Sequence, residues 1–315
     1  MLTFSLIVAT LGRATDLEYL FKSVAAQGYP QMECIVIDQN TDDRVERIVE
    51  RWQPAIPLRR VTSAPGLSRA RNVGLELATG DIMAFPDDDC WYSESLLVDV
   101  AAWFETHPEF SILTVGAQDH DGVPSGNRWV QNRCEIRPSN AFRTTFSSTI
   151  FVRRTATTSQ ARFDEALGVG SGTPFQCGEE TDYVLNLLHN GARGYFDRTW
   201  HIGHPKRDML SGQIDRRRAT GYGRGMGHVL RKQAEPLLAV GFVAYDLLRA
   251  MLANAKGNFM AGDLCLRHGW GIASGYVASI PQPLSATPLS ASSQLAKVLP
   301  FAQKLIAPPQ ERTEG

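Results

Sequence analysis

The sequence predicts an α/β fold, a Rossmann-type mixed sheet followed by a helical C-terminal extension, and three observations carry that expectation. Short β-rich runs alternate with segments of helical period over residues 4–86, carboxylates gather where two of those runs end, and beyond His204 the composition turns basic and then helical. With 315 residues and 43% hydrophobic content the chain is able to bury a substantial core.

Residues 4–10 form a β-rich run, and Thr15-Asp16-Leu17-Glu18 then offers a capping box with Leu17, Leu20, Phe21 and Val24 at helical spacing. The pattern recurs: residues 32–38 read as strand, 42–52 as helix and 58–62 as a short strand. After the Pro65-Gly66 turn a helix is expected over 67–78, and residues 81–86 give another strand. Such alternation implies a parallel sheet covered on both faces, with ligands bound beyond the carboxyl ends of its strands. Asp38 and the run Asp87-Asp88-Asp89 both fall at such ends. From about residue 110 the order changes. Strands near 110–115 and 146–152 flank a polar stretch, a helix follows over 180–190 and a strand over 193–196, which makes the second half mixed. Residues 281–293, rich in Pro, Ser and Ala, read as a flexible linker, with a short amphipathic turn around 295–306.

Composition narrows the partners. Lys plus Arg number 32 and Asp plus Glu 33, a net charge of −1, so no overall field attracts nucleic acid, and no recognition module for it is present. Five widely spaced cysteines without a C-x-x-C pair argue against a disulfide framework or a structural zinc and fit a reducing cytosol. The N-terminus lacks a positive n-region and reads as a first strand. The apolar segment 237–255 is interrupted by Asp246 and Arg249, which disfavours a spanning helix and leaves open one that lies on a membrane.

Three adjacent carboxylates after Ile82-Met83-Ala84-Phe85-Pro86 repel one another unless they share a cation or water screens them. Hard oxygen ligands suit Mg2+ or Mn2+, and a site with few protein ligands leaves positions for phosphate oxygens, so the ion would bridge a diphosphate. The competing explanation is a solvated acidic turn capping the helix that begins near Ser93. Placement after a buried strand favours the metal site.

The segment Gly80-Asp81-Ile82-Met83-Ala84-Phe85-Pro86-Asp87-Asp88-Asp89 resembles the Asp-x-Asp segment of the inverting family 2 glycosyltransferases, which have a GT-A fold. Ser5-Leu6-Ile7-Val8-Ala9-Thr10 resembles the family's first strand, and Ile35-Val36-Ile37-Asp38-Gln39-Asn40 its second, whose aspartate meets the uracil or ribose of the donor. Pro65-Gly66-Leu67-Ser68-Arg69-Ala70-Arg71-Asn72-Val73-Gly74 is similar to the helix start beside the nucleotide. Phe163-Asp164-Glu165 with Gly168 and Gly170, and then Gly178-Glu179-Glu180-Thr181-Asp182, resemble the acceptor-side loop and its Glu-Asp motif. The likeness covers roughly residues 3–205, in the family's order.

The resemblance implies a nucleoside-diphosphate sugar donor, a divalent metal (Mg2+ or Mn2+) and a glycan or lipid-linked saccharide acceptor. It implies Asp89 as metal ligand with Asp87 and His204. Asp87 and Asp89 fit the Asp-x-Asp spacing, while Asp88 and Asp89 form an alternative pair; Asp89 is the favoured metal ligand, with the other two aimed at ribose or metal-bound water. Thr10, Asp38, Arg69, Arg71, Asn72, Asp87 and Asp88 are the expected donor-binding set. An inverting transfer needs one carboxylate to take the acceptor proton. Glu180 stands at the motif's second position, with Glu179 as the neighbour and alternative, although two acids at a helix start also suit the helix dipole. In Trp200-His201-Ile202-Gly203-His204, His204 is the preferred metal or diphosphate contact and His201 the second choice.

Between Lys206 and Lys232 lie eight Lys or Arg residues and two acids, with Gly221-Tyr222-Gly223-Arg224-Gly225-Met226-Gly227 among them. Such a stretch would cover the donor diphosphate, meet anionic lipid head groups or form a solvated basic helix face. The expected division is 1–205 as the nucleotide-sugar-binding catalytic domain, 206–280 as a basic and helical extension with peripheral membrane contact, and 281–315 as a flexible tail. The expected location is the cytoplasm, at the inner face of the membrane. Two rivals stand beside this reading: a nucleotidyltransferase that makes the activated sugar, for which Leu11-Gly12-Arg13 gives only a weak phosphate loop, and a non-catalytic nucleotide- or glycan-binding protein.

Overall fold

The computed structural model describes residues 1–126, 129–157, 161–205 and 216–278. The expected linker, amphipathic turn and tail over 281–315, and the charges of Lys206, Arg207, Asp208 and Asp215, lie outside the described residues.

The first half alternates as the sequence patterning predicts: β1 (Phe4–Thr10), α1 (Ala14–Ala26), β2 (Met32–Asp38), α2 (Arg44–Trp52), β3 (Leu58–Thr62), α3 (Leu67–Leu77) and β4 (Ile82–Ala84). Then follow β5 (Trp91–Tyr92), α4 (Leu96–Thr106), β6 (Ile112–Gln118), β7 (Cys134–Ile136), β8 (Ile150–Arg153), α5 (Glu179–His189) and β9 (Gly194–Gly203). Three helices close the described chain: α6 (Arg216–Lys232), α7 (Pro236–Ala255) and α8 (Phe259–Ala278).

One mixed sheet runs in the order β3-β2-β1-β4-β8-β6-β9-β5, with β7 added beside β9. The β3-β2-β1-β4 half is parallel, and the direction reverses where β4 meets β8. β1 lies centrally and is covered on both faces, which is why it reads as an unbroken apolar run rather than an alternating one. Its register sets the site: Thr10 pairs with Asp38 of β2, while Ala9 bridges to Asp87 just beyond β4. Strand ends far apart in sequence thus meet at one edge of the sheet.

Local departures have local causes. The capping box expected at Thr15 is not made. α1 begins at Ala14 without a side-chain cap, and Arg13 at its start is drawn onto Asp88 and Asp89. The strand expected over 146–152 starts only at Ile150, because Ser147–Thr149 form a turn of 3-10 helix. β9 runs on to Gly203, where a Cβ would lie 1.8 Å from the indole of Trp91.

The glycine-rich basic stretch is helical, and its glycines serve packing. On one face of α6 a Cβ at Gly223 or Gly227 would come within 2.1 Å of the His268 or Ile272 carbonyl oxygen of α8, and Gly271 and Gly275 of α8 answer in kind. On another face Gly221 and Gly225 meet Gln176 and Cys177, the segment leading into α5. The i, i+4 spacing of each pair places it on one helix face, so backbones approach as closely as the missing side chains allow. α7 packs on α8 and leaves Leu237, Val240, Met251 and Leu252 exposed. Among the described residues it is the helix long and apolar enough to cross a membrane by length and composition, and Asp246 within it is buried inside the protein rather than turned outward.

Two glycines should therefore respond oppositely to alanine. Gly223→Ala gains helix propensity but forces α6 from α8, and should cost roughly 1–3 kcal/mol in urea unfolding. Gly241→Ala in α7, where an added Cβ meets nothing within 4 Å, should raise stability by up to about 1 kcal/mol.

Candidate active site

A cavity of about 520 Å3 opens at the carboxyl ends of the central strands. Asp87, Asp88 and Asp89 line it from beyond β4, Glu179 and Glu180 from the start of α5, and His204 from the end of β9. Residues separated by more than a hundred positions in sequence therefore face one space. Arg218, Tyr222 and Met226 of α6 and His268 of α8 complete a wall that the sequence patterning does not disclose.

The three aspartates have different partners. Asp88 accepts hydrogen bonds from Thr10 Oγ1 at 2.8 Å and Arg13 Nη1 at 3.0 Å. Burial pushes its carboxyl group up to about 7, with Arg13 and Thr10 opposing that shift and Asp89 and Asp87 adding to it. Asp89 accepts from the same Arg13 nitrogen at 2.7 Å and lies 3.6 Å from His204 Nε2. Asp87 accepts from Arg71 Nη2 at 2.9 Å and from the hydroxyl groups of Ser147 and Ser148 at 3.3–3.4 Å.

Asp87, Asp89 and His204 each offer a ligand atom, all within 4.8 Å of one another. His204 is buried against the edge of Phe146, and among the described residues its Nδ1 has no hydrogen-bond partner. A buried ring nitrogen without a partner is costly, and a histidine beside two carboxylates that lacks one fits a ligand role. Two carboxylates and an imidazole form a donor set suited to Mn2+ or Mg2+.

Across the cavity the adjacent acids of α5 diverge. Glu179 is buried, and its Oε1 accepts from Arg71 Nη1 at 2.9 Å. Glu180 has no ion pair among the described residues. It lines the cavity and is partly exposed. Burial, and then the neighbouring Glu179 charge, pushes it up to about 8. Gly178 precedes the pair at φ +94°, a turn that side-chain-bearing residues rarely adopt, and so aims both acids inward.

Other expected site residues stand behind or beside this lining. Arg71 is 2% exposed, lies with its guanidinium 5.4 Å from the Phe163 ring centre, and joins Asp87 to Glu179. Asn72 exchanges two 2.9 Å hydrogen bonds with the Phe163 backbone. Asp38 is fully buried with Arg60 at 2.9 Å and Asn40 on its carboxylate, and its neighbour Gln39 is the one that lines the cavity. Arg69 is exposed and paired with Glu165 at 3.0 Å. His201 lies on β9, outside the lining, with burial pulling its ring down in pKa.

The match to protein families fits this geometry. Residues 5–166, just over half of the chain, match the family model described as glycosyl transferase family 2. The chain belongs to that family. Among its relatives is the poly(ribitol-phosphate) beta-N-acetylglucosaminyltransferase TarS of Staphylococcus aureus, 30% identical over 130 residues, which cover 39% of this chain and 23% of TarS. The chain thus matches about a quarter of the length of that relative. The succinoglycan biosynthesis protein ExoM of Rhizobium meliloti is 26% identical over 263 residues, covering 79% of this chain and 80% of ExoM. Solved structures share the fold. The mannosyltransferase PcManGT of Pyrobaculum calidifontis, in complex with GDP-Man and Mn2+, superposes with a TM-score of 0.56 at 18% identity, covering 96% of this chain and 81% of that one. TarS 1-349 in complex with UDP-GlcNAc gives 0.53 at 16% identity, covering 86% and 91%. The family model ends before Glu179, so the acid pair and the C-terminal wall are read from the geometry of this glycosyltransferase-family chain itself.

Removal of the shared guanidinium should be severe. Arg71→Ala leaves the buried Glu179 carboxylate and the partly exposed Asp87 carboxylate without their cation, and should cost roughly 3–5 kcal/mol in urea unfolding at pH 7.

Proposed function

We propose that this protein transfers a sugar from a nucleoside-diphosphate sugar to a hydroxyl group of a glycan or lipid-linked saccharide, with inversion at the anomeric carbon. The observation that carries the proposal is the placement of the Asp87, Asp89 and His204 set and the unpaired Glu180 on one cavity, with Arg71 spanning the distance between them.

In this reading Glu180 takes the proton of the acceptor hydroxyl while that oxygen attacks the anomeric carbon opposite the diphosphate. A carbon–oxygen bond to the acceptor forms as the bond to the diphosphate breaks. Glu179, held by Arg71, lies beside Glu180 and raises the basicity of that partner. Asp87, Asp89 and His204 would hold Mg2+ or Mn2+, whose charge offsets the charge gathering on the departing diphosphate. Asp88, fixed by Thr10 and Arg13, faces ribose or metal-bound water. Asp38, Arg69 and Asn72 belong to the donor side, Asp38 through the Gln39 edge of the cavity, Asn72 by holding the Phe163 loop, and Arg69 at the mouth. The names of TarS and ExoM support a polysaccharide or related glycan as acceptor. For the domain division, residues 1–205 bind donor and carry the acids, while helices α6–α8 close the acceptor side and, through the exposed apolar face of α7, rest on the inner face of a membrane.

A panel of UDP-, GDP- and dTDP-sugars, each with Mn2+, tests the donor. A donor at about a hundredfold its Kd should stabilise the protein by about 2.7 kcal/mol in thermal unfolding. EDTA or Asp89→Ala should remove both that shift and donor turnover, and metal-independent turnover would overturn the metal assignment. No donor binding at all would leave a non-catalytic glycan-binding protein.

The pH profile tests the base. Glu180 works only when ionised, and its pKa is raised, so kcat/KM should climb with pH through about 8 rather than reach its plateau near 5. Glu180→Gln should lower kcat by about 10²- to 10⁴-fold and abolish that limb, whereas an unaltered profile would shift the role to Glu179.

A further inference from the structure

α7 presents apolar side chains along most of its length, yet Asp246 in its middle is buried. Asp246 Oδ2 lies 2.6 Å from Nδ1 of His268 on α8, and its Oδ1 accepts from Arg249 at 3.4 Å. Gly269, the next residue of α8, allows this approach, since a Cβ there would come within 3.2 Å of the Asp246 Cβ. To tie two helices together, an apolar pair of similar volume would avoid the desolvation cost of a buried carboxylate.

His268 also lines the cavity, on the same wall as Tyr222 and Arg218. Asp246 on Nδ1 orients the ring, and in a neutral imidazole that hydrogen bond leaves the lone pair on Nε2. The wall therefore combines a hydrogen-bond acceptor with the ring of Tyr222, a pairing suited to a sugar, which has hydroxyl donors and an apolar ring face. Its position favours the acceptor. α6 packs on Gln176 and Cys177, immediately ahead of the acid pair, so the wall adjoins Glu180 rather than the ends of β1 and β2.

We propose that His268 receives a hydroxyl group of the acceptor saccharide, with Asp246 as its positioning residue, and that this contact helps choose which acceptor is glycosylated. The inference rests on the glycosyl-transfer reading above. It concerns residues that neither the metal set nor the acid pair uses.

The test uses the full chain, the donor that turns over in the panel, and octyl β-D-glucoside, octyl β-D-galactoside and octyl N-acetyl-β-D-glucosaminide as acceptor probes. His268→Ala should raise the acceptor KM about tenfold while donor KM stays at its wild-type value. His268→Gln, whose side-chain oxygen can accept in place of Nε2, should recover most of the loss. Asp246→Asn, which disturbs the tautomer, should move acceptor KM in the same direction. Histidine ¹⁵N NMR gives a readout independent of turnover: the Nε2 resonance of His268, assigned by its absence in His268→Gln, should shift as glycoside is added. An unchanged acceptor KM in His268→Ala, a parallel rise in donor KM, or an Nε2 resonance that no probe moves would each overturn the proposal. Failure of the parent reading looks different, because the wild-type protein would then turn over no donor in the panel.

Discussion

The geometry of the cavity depends on one buried cation. Arg71 places Nη2 on Asp87 and Nη1 on Glu179, each at 2.9 Å, and so joins the carboxylate run after β4 to the acids that open α5. A guanidinium has a planar fork of donors, and it holds the two carboxylates at a set separation in a way that a flexible ammonium would not. α3 must in turn be immobile for Arg71 to act this way. Asn72 clasps the Phe163 backbone, Ser68 Oγ donates to the Leu167 carbonyl, and the Gly66 amide donates to Gln39 at the end of β2. The helix that carries Arg71 is thereby fastened to the loop before α5 and to the parallel half of the sheet.

How far this was readable beforehand follows from the length scale of each signal. β1 and β2 lie where their apolar runs do, because a strand covered on both faces records its burial residue by residue, whereas β3 at the sheet edge is short and half exposed. β5 and β7, of two and three residues, are too short to have a period at all. The aspartate run stands out because three charges directly follow a buried strand. Arg13 does not, since its meaning arises only when the start of α1 folds onto residues 75 and 76 positions away. The alternating glycines of α6 were the least informative by pattern. Glycine at every second position carries no packing pattern of its own, and only the opposing glycines of α8 and the Gln176-Cys177 segment explain it as close packing on two faces. Because His268 reaches the cavity through that packing, the acceptor wall was hidden together with it.

The charge balance of the cavity carries the last step. Five carboxylates, Asp87, Asp88, Asp89, Glu179 and Glu180, stand against the guanidinium groups of Arg13, Arg71 and Arg218. Burial first, and then like-charged neighbours, push Asp88 and Glu180 toward the protonated form, although Arg13 and Thr10 hold the Asp88 carboxylate. A donor diphosphate brings further negative charge, and in a partly dehydrated cavity repulsion of that size would prevent binding. In the proposed reaction a divalent ion held by Asp87, Asp89 and His204 would offset charge on the aspartate side alone, since that group does not include the acid pair. Arg71, touching both groups, keeps the arrangement in place. In the proposed reaction the two halves of the cavity then hold opposite requirements: positive charge where the diphosphate departs, and a carboxylate of raised basicity where the acceptor hydroxyl arrives.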